Sequence, residues 1–169
     1  MRIIYQPGQQ QSEFILGGIE SLKEAVARNR KNYTTRVVCF AELTVDETIQ
    51  RRTTFPVGAQ IYYIQRVRCI DHNYFLKDVV RDLTPEIAER SIYEYMEKDL
   101  GESIVTTKRK MTVERVNQID ETYLDLKDYN CMAVVSSMTY NKEGVMFEFT
   151  QSRHRPDRFV FYDLAHRTK

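Results

Sequence analysis

The chain has 169 residues, 42% hydrophobic and 29% charged, with 25 basic and 24 acidic side chains for a net charge of +1. That length fits one domain with a sizeable core, and the composition is that of a globular protein. It excludes three classes. No apolar run is long enough to cross a bilayer, the opening Met1-Arg2-Ile3-Ile4-Tyr5-Gln6-Pro7 lacks the apolar core of a signal peptide, and the balanced charge gives no overall electrostatic grip on DNA.

In chain order, residues 1–14 are polar and rich in glutamine (Gln6, Gln9, Gln10, Gln11) around Pro7 and Gly8, which predicts a linker or frayed terminus. Ser21 then caps a helix bearing Leu22, Ala25 and Val26 at helical spacing. Tyr33 to Leu43 reads as a strand, and Thr44-Val45-Asp46-Glu47 has the capping-box pattern for a short helix through Arg51. Pro56 and Gly58 turn the chain into a β-prone run, Gln60 to Ile70. Asp71-His72-Asn73 interrupts that run, and Tyr74 to Val80 forms the returning strand of a hairpin. Thr84-Pro85-Glu86 starts a helix that Gly101 ends, with Ser91 able to cap a second helix after a break. Ile104 to Val116 is a long, half-exposed strand and Asp120 to Lys127 a short helix. Asn141-Lys142-Glu143-Gly144 joins the strands Cys131–Tyr140 and Val145–His154 as a hairpin, and Arg158 to Asp163 is a last strand. Hairpins with inserted helices, without β-α-β alternation, predict an α+β fold: an antiparallel β-sheet with helices packed mainly on one face.

Cys39, Cys69 and Cys131 are odd in number and far apart, in apolar strand-like settings, so reduced thiols in a cytoplasmic protein are expected. His72, His154 and His166 lack metal-ligand spacing, and no metal or cofactor is expected.

Two segments carry the chemistry. Side chains repeat every two residues along a strand, so Glu148, Thr150, Ser152 and His154 share one face, which is polar where a core face would be apolar. Arg66 and Arg68 likewise point the same way, and two guanidiniums side by side suit a phosphate or carboxylate between them. On residue type alone they are equally two solvated arginines on an edge strand.

The Arg66-Val67-Arg68 strand, the run Glu89-Arg90-Ser91-Ile92-Tyr93-Glu94-Tyr95-Met96-Glu97 and the ending Ser152-Arg153-His154-Arg155-Pro156-Asp157-Arg158-Phe159 together resemble the UTRA domain. That domain is the effector-binding half of GntR-type bacterial repressors of the HutC branch. The likeness runs from about Ile15 to Lys169 and points to the sugar-phosphate-sensing subgroup. It implies the chorismate-lyase fold, a homodimer, and operator DNA reached only through an N-terminal winged helix-turn-helix domain that these residues do not include. Within the chain it divides a linker, 1–14, from the ligand-binding domain, 15–169.

The resemblance also implies a site. Ser21, Ser91 and the Leu22 and Lys23 amides approach a phosphate, with Lys23, Arg66 and Arg68 completing the cage; by residue type the two serines are simply helix caps. Asp78, ten positions after Arg68, is a candidate for sugar hydroxyls or an ion-pair partner for the arginines. Tyr93, Glu148 and His154 complete the sugar side; Tyr93 reads equally as a core aromatic, and His154 stands where amino-sugar sensors carry tyrosine. Arg155, Asp157 and Arg158 read as a structural charge cluster. The implied effector is a phosphorylated disaccharide, trehalose 6-phosphate, or another phosphosugar such as glucosamine 6-phosphate. A chorismate-lyase-like enzyme is the rival reading, with Glu148 or His154 as acid or base, but no nucleophile–base pair supports it.

Overall fold

A computed structural model describes residues 12–15, 36–67 and 70–162. Strand β1 (Ser12–Ile15) opens the described chain, and β2 (Arg36–Thr44), β3 (Gln60–Val67), β4 (Ile70–Leu76), β5 (Ile104–Arg115), β6 (Cys131–Asn141), β7 (Met146–His154) and β8 (Phe159–Tyr162) follow. Six of them form one sheet in the order β2-β3-β4-β7-β6-β5, every neighbouring pair antiparallel. β1 and β8 pair in parallel as a second, two-stranded sheet, so a strand begins at Ser12, inside the stretch expected to be linker. The α+β, antiparallel expectation holds.

Polar caps set the helices. Helix α1 (Glu47–Thr53) is capped by Asp46, whose Oδ1 accepts the Ile49 N–H at 2.7 Å. The expected cap, Thr44, is instead the last residue of β2, and its hydroxyl accepts from Gln60 Nε2 at 2.9 Å. Helices α2 (Pro85–Ala88) and α3 (Ile92–Lys98) are separated by the break foreseen at Ser91, which caps α3 by accepting the Glu94 N–H at 3.2 Å. Helix α4 (Gln118–Tyr123) starts earlier than expected, because Asn117 and Asp120 form a reciprocal capping box. The β6–β7 turn closes as the sequence predicts. Gly144 sits at φ +75°, where a side chain is strained, and donates to the Asn141 carbonyl at 3.0 Å.

Two cores sandwich the sheet. On one face Tyr62, Ile64 and Phe75 pack against Ala88, Ile92 and Met96 of α2 and α3. On the other, Ile61, Tyr74 and Phe149 meet Val45 and Phe55, which flank α1, and Ile49 within it. A bulge in β7 modifies this alternation: Thr139 pairs with Glu148 but Tyr140 with Met146, leaving Phe147 extra. Phe147 therefore joins the α3-side core beside Glu148 rather than the opposite one.

The hairpin between β3 and β4 differs from expectation. Asp71, His72 and Asn73 do not interrupt it; they lie within β4, and Asp78 falls in the exposed turn beyond Leu76. Mid-strand polar residues are tolerated because each finds a partner: the Asn73 amide donates to the Ile64 carbonyl at 3.2 Å, and Asp71 accepts from Ser152. β6 is an interior strand, flanked by β5 and β7.

Candidate functional site

Register carries the polar face of β7 across the whole sheet. In one row Arg66 lies opposite Asp71, Asp71 opposite Ser152, Ser152 opposite Val135 and Val135 opposite Met111. In the next, Ile64, Asn73, Thr150, Ser137 and Arg109 follow one another, and in the third Tyr62, Phe75, Glu148, Thr139 and Thr107. Tyr62, Ile64 and Phe75 lie on β3 and β4 in the core with α3, Val135 and Met111 end the first row, and between them the face carries polar residues. A polar floor flanked by an apolar helix–sheet core is an arrangement that small polar ligands use.

At one end of this floor Arg66 is 7% exposed, and its Nη2 donates to Asn73 Oδ1 at 2.6 Å. Asp71, 1% exposed, faces it in register and accepts from the Ser152 hydroxyl at 2.5 Å. A guanidinium so buried, with a carboxylate and an amide on its own face, is held in a fixed position at this corner of the sheet.

Toward the middle, α3 contributes Tyr93. Its hydroxyl donates to Glu148 Oε2 at 2.5 Å and lies 3.5 Å from Thr139 Oγ1. Burial and then the adjacent Glu148 carboxylate push the Tyr93 phenol well above its usual value of 10, so it stays a neutral donor. Glu148, 4% exposed, also accepts from Thr150 Oγ1 at 2.9 Å, and Thr107 Oγ1 donates to Thr139 Oγ1 at 3.3 Å. A buried carboxylate held by two hydroxyls is a bidentate acceptor suited to vicinal hydroxyls.

The candidates fare unequally. Arg66, Tyr93 and Glu148 come to one face, with Ser91 half-buried at the start of the helix that carries Tyr93. His154 is buried on the same face at the far end of β7, its ring 5.6 Å from that of Phe159. Asp78 is not brought to Arg66: antiparallel pairing gives that place to Asp71, and the Lys77 N–H bonds to Gln60 at the opposite end of β3. Ser21, Leu22, Lys23 and Arg68 lie outside the described residues. The sequence reading missed Asp71, Asn73 and Thr139. The first two carry a signal, a period-two Asp-x-Asn on one strand face, with Asp71 opposite Arg66 and Asn73 within hydrogen-bond reach of it.

The C-terminal charges sort as expected. Arg155 grips Asp157 through Nε (2.6 Å) and Nη2 (3.1 Å) and also bonds the Asp125 carbonyl, which fastens the bend after β7. Arg153, on the other face of β7, is buried against Asp120 and Glu114.

Fold and site together define a class. The chain belongs to the UTRA domain family, whose model matches residues 28–160, and is an effector-binding domain of the kind found in HTH-type transcriptional regulators. It is similar to the HTH-type transcriptional regulator TreR of Bacillus subtilis (strain 168), 34% identical over 168 residues, which is 95% of this chain and 71% of TreR. GmuR of the same organism is 24% identical over 88% of this chain and 63% of its own length. The solved effector-binding domain of the B. subtilis trehalose repressor (TreR) matches with a TM-score of 0.72 at 35% identity, covering 80% of this chain and 99% of that one. The effector domain of PhnF from Mycobacterium smegmatis shares the fold, with a TM-score of 0.76 at 20% identity over 92% of this chain and 99% of that one.

Proposed function

We propose that this domain senses a phosphorylated sugar, with trehalose 6-phosphate as the effector, and thereby controls operator binding by a winged helix-turn-helix domain joined to its N-terminal side. The observation that carries the reading is the buried Arg66 at one end of a polar floor whose middle holds the Tyr93–Glu148 pair: a cation for a dianion, then an acceptor for hydroxyls. Arg66, with Arg68, Lys23, Ser21, Ser91 and the Leu22 amide, takes the phosphate. Glu148, Tyr93 and His154 take the sugar. The domain acts as a cytoplasmic homodimer, and binding shifts the balance between two arrangements of the dimer without any chemical step on the sugar. The similarity to TreR supports the choice of sugar.

A thermal-shift series tests it. At a hundredfold excess over Kd, a ligand specific to the folded state stabilises by about 2.7 kcal/mol. Trehalose 6-phosphate is expected to raise Tm, free trehalose to do so weakly, and Arg66→Ala to remove the response. Equal shifts with phosphorylated and free trehalose would refute the phosphate corner; sustained turnover of chorismate would favour the enzyme instead.

A further inference from the structure

The proposed contacts leave half of the polar floor unused. Beyond Glu148 the same face continues on to β6 and β5 as Ser137, Thr139, Thr107 and Arg109, linked by register: Thr150 opposite Ser137 opposite Arg109, and Glu148 opposite Thr139 opposite Thr107. None of the four belongs to either hydrophobic core. Thr139 is fully buried and receives the Thr107 hydroxyl at 3.3 Å, whereas Thr107, Arg109 and Ser137 are only half-buried and so border space that solvent enters. Arg109 is near enough to Tyr93 for its charge to act on the phenol.

Span decides what such an extension is for. From Arg66 on β3 to Arg109 on β5 the sheet takes four interstrand steps, about 19 Å at ~4.8 Å each. Glu148 on β7 is two of those steps from Arg66 and, in register with Tyr62, four residues along the strand direction, so one hexose phosphate anchored at Arg66 and read by Glu148 ends at β7 and leaves the β5–β6 side untouched. We infer that Thr107, Arg109 and Ser137, backed by Thr139, form a distal subsite for the second, unphosphorylated ring of a disaccharide phosphate. Hydroxyls and a guanidinium supply both donors and acceptors for ring hydroxyls, and a site lined by such groups discriminates against a ligand that leaves them unpaired. The edge strand β5 thereby becomes the element that measures ligand length. The inference rests on the phosphosugar reading of the site.

Isothermal titration of the full chain with trehalose 6-phosphate and with glucose 6-phosphate separates the two. The wild type is expected to bind the disaccharide phosphate at least tenfold more tightly. Arg109→Met and Ser137→Ala should each erode that preference, by about tenfold and threefold, while glucose 6-phosphate affinity stays within twofold and so reports that the variant is folded. Parallel weakening toward both probes, no change toward either, or an altered sedimentation coefficient with unchanged binding would overturn the subsite while leaving the phosphate corner standing. Failure of the wild type to bind either probe would overturn the phosphosugar reading and the subsite with it.

Discussion

Asp120 does two jobs at once: its Oδ2 accepts the Asn117 N–H at 3.0 Å to close the α4 capping box, and both its oxygens accept from Arg153, Nε at 2.9 Å and Nη2 at 2.9 Å. Arg153 is 3% exposed and Asp120 fully buried, and the same guanidinium reaches Glu114 at 2.6 Å and the Arg115 carbonyl. One ion pair thus ties α4 and the end of β5 to the back of the strand whose front carries Ser152 and His154.

Removing one partner of a buried pair leaves the other charge uncompensated, at a cost of roughly 3–5 kcal/mol. Asp120→Ala is expected to fall in that range in urea unfolding, because the cap is lost with the pair. Arg153→Met, which removes the cation and leaves Asp120 buried, should be comparably harmful. A loss below about 1 kcal/mol for either would mean that the pair is solvated in solution.

His72 should make stability depend on pH. Burial first, then Arg52 and Arg153, hold its pKa below the usual 6.5 against the opposing pull of Asp71 and Asp120, and Tyr63 Oη stands 2.9 Å from its Nδ1. The unfolded chain therefore takes up the proton first. This contribution is whole above about pH 6.5 and is lost as pH falls through the folded value. Unfolding free energies measured downward from pH 7 should decline, and His72→Gln should flatten the slope. An unchanged slope would assign acid sensitivity to the carboxylates instead.

Tyr93→Phe keeps the ring and deletes the hydroxyl that Glu148 accepts at 2.5 Å. Leaving a buried carboxylate short of a donor costs about 1–3 kcal/mol. Denaturant titration should show that loss, and sugar-phosphate affinity should fall alongside it. A fully stable variant with intact binding would reduce Tyr93 to a packing residue.

Ser91 separates capping from ligand contact. Loss of its bond to the Glu94 N–H should cost about 1 kcal/mol in Ser91→Ala. Ser91→Asp keeps the cap but sets a negative charge beside the proposed phosphate. Stability near wild type with affinity for trehalose 6-phosphate reduced tenfold or more is the expected result, and unaltered affinity would leave Ser91 as a cap alone.

Much of this was written in the chain. The Glu148/Thr150/Ser152/His154 alternation survives as a real face, and Ser91 and Gly144 mark their cap and turn as the residue types require. What was hidden depends on pairing. Asp71 and Asn73 read as a breaker because a local rule penalises polar residues in strands; only register reveals that Arg66 and Ser152 flank Asp71 and that Ile64 and Thr150 flank Asn73. The position of Asp78 depends on where the hairpin turns, and β4 ends two residues before it. The start of α4 is set by the Asn117-x-x-Asp120 capping box, and the Phe147 bulge has no local signature at all.

The parallel pairing of Ser12–Ile15 with Phe159–Tyr162 has a mechanical reading. Tension drawn outward through the first strand and resisted through the last would slide the two past each other, loading every rung simultaneously instead of peeling them singly. Phe159, the rung opposite Ser12, lies with its ring 5.6 Å from that of His154, so the clasp meets the far end of β7.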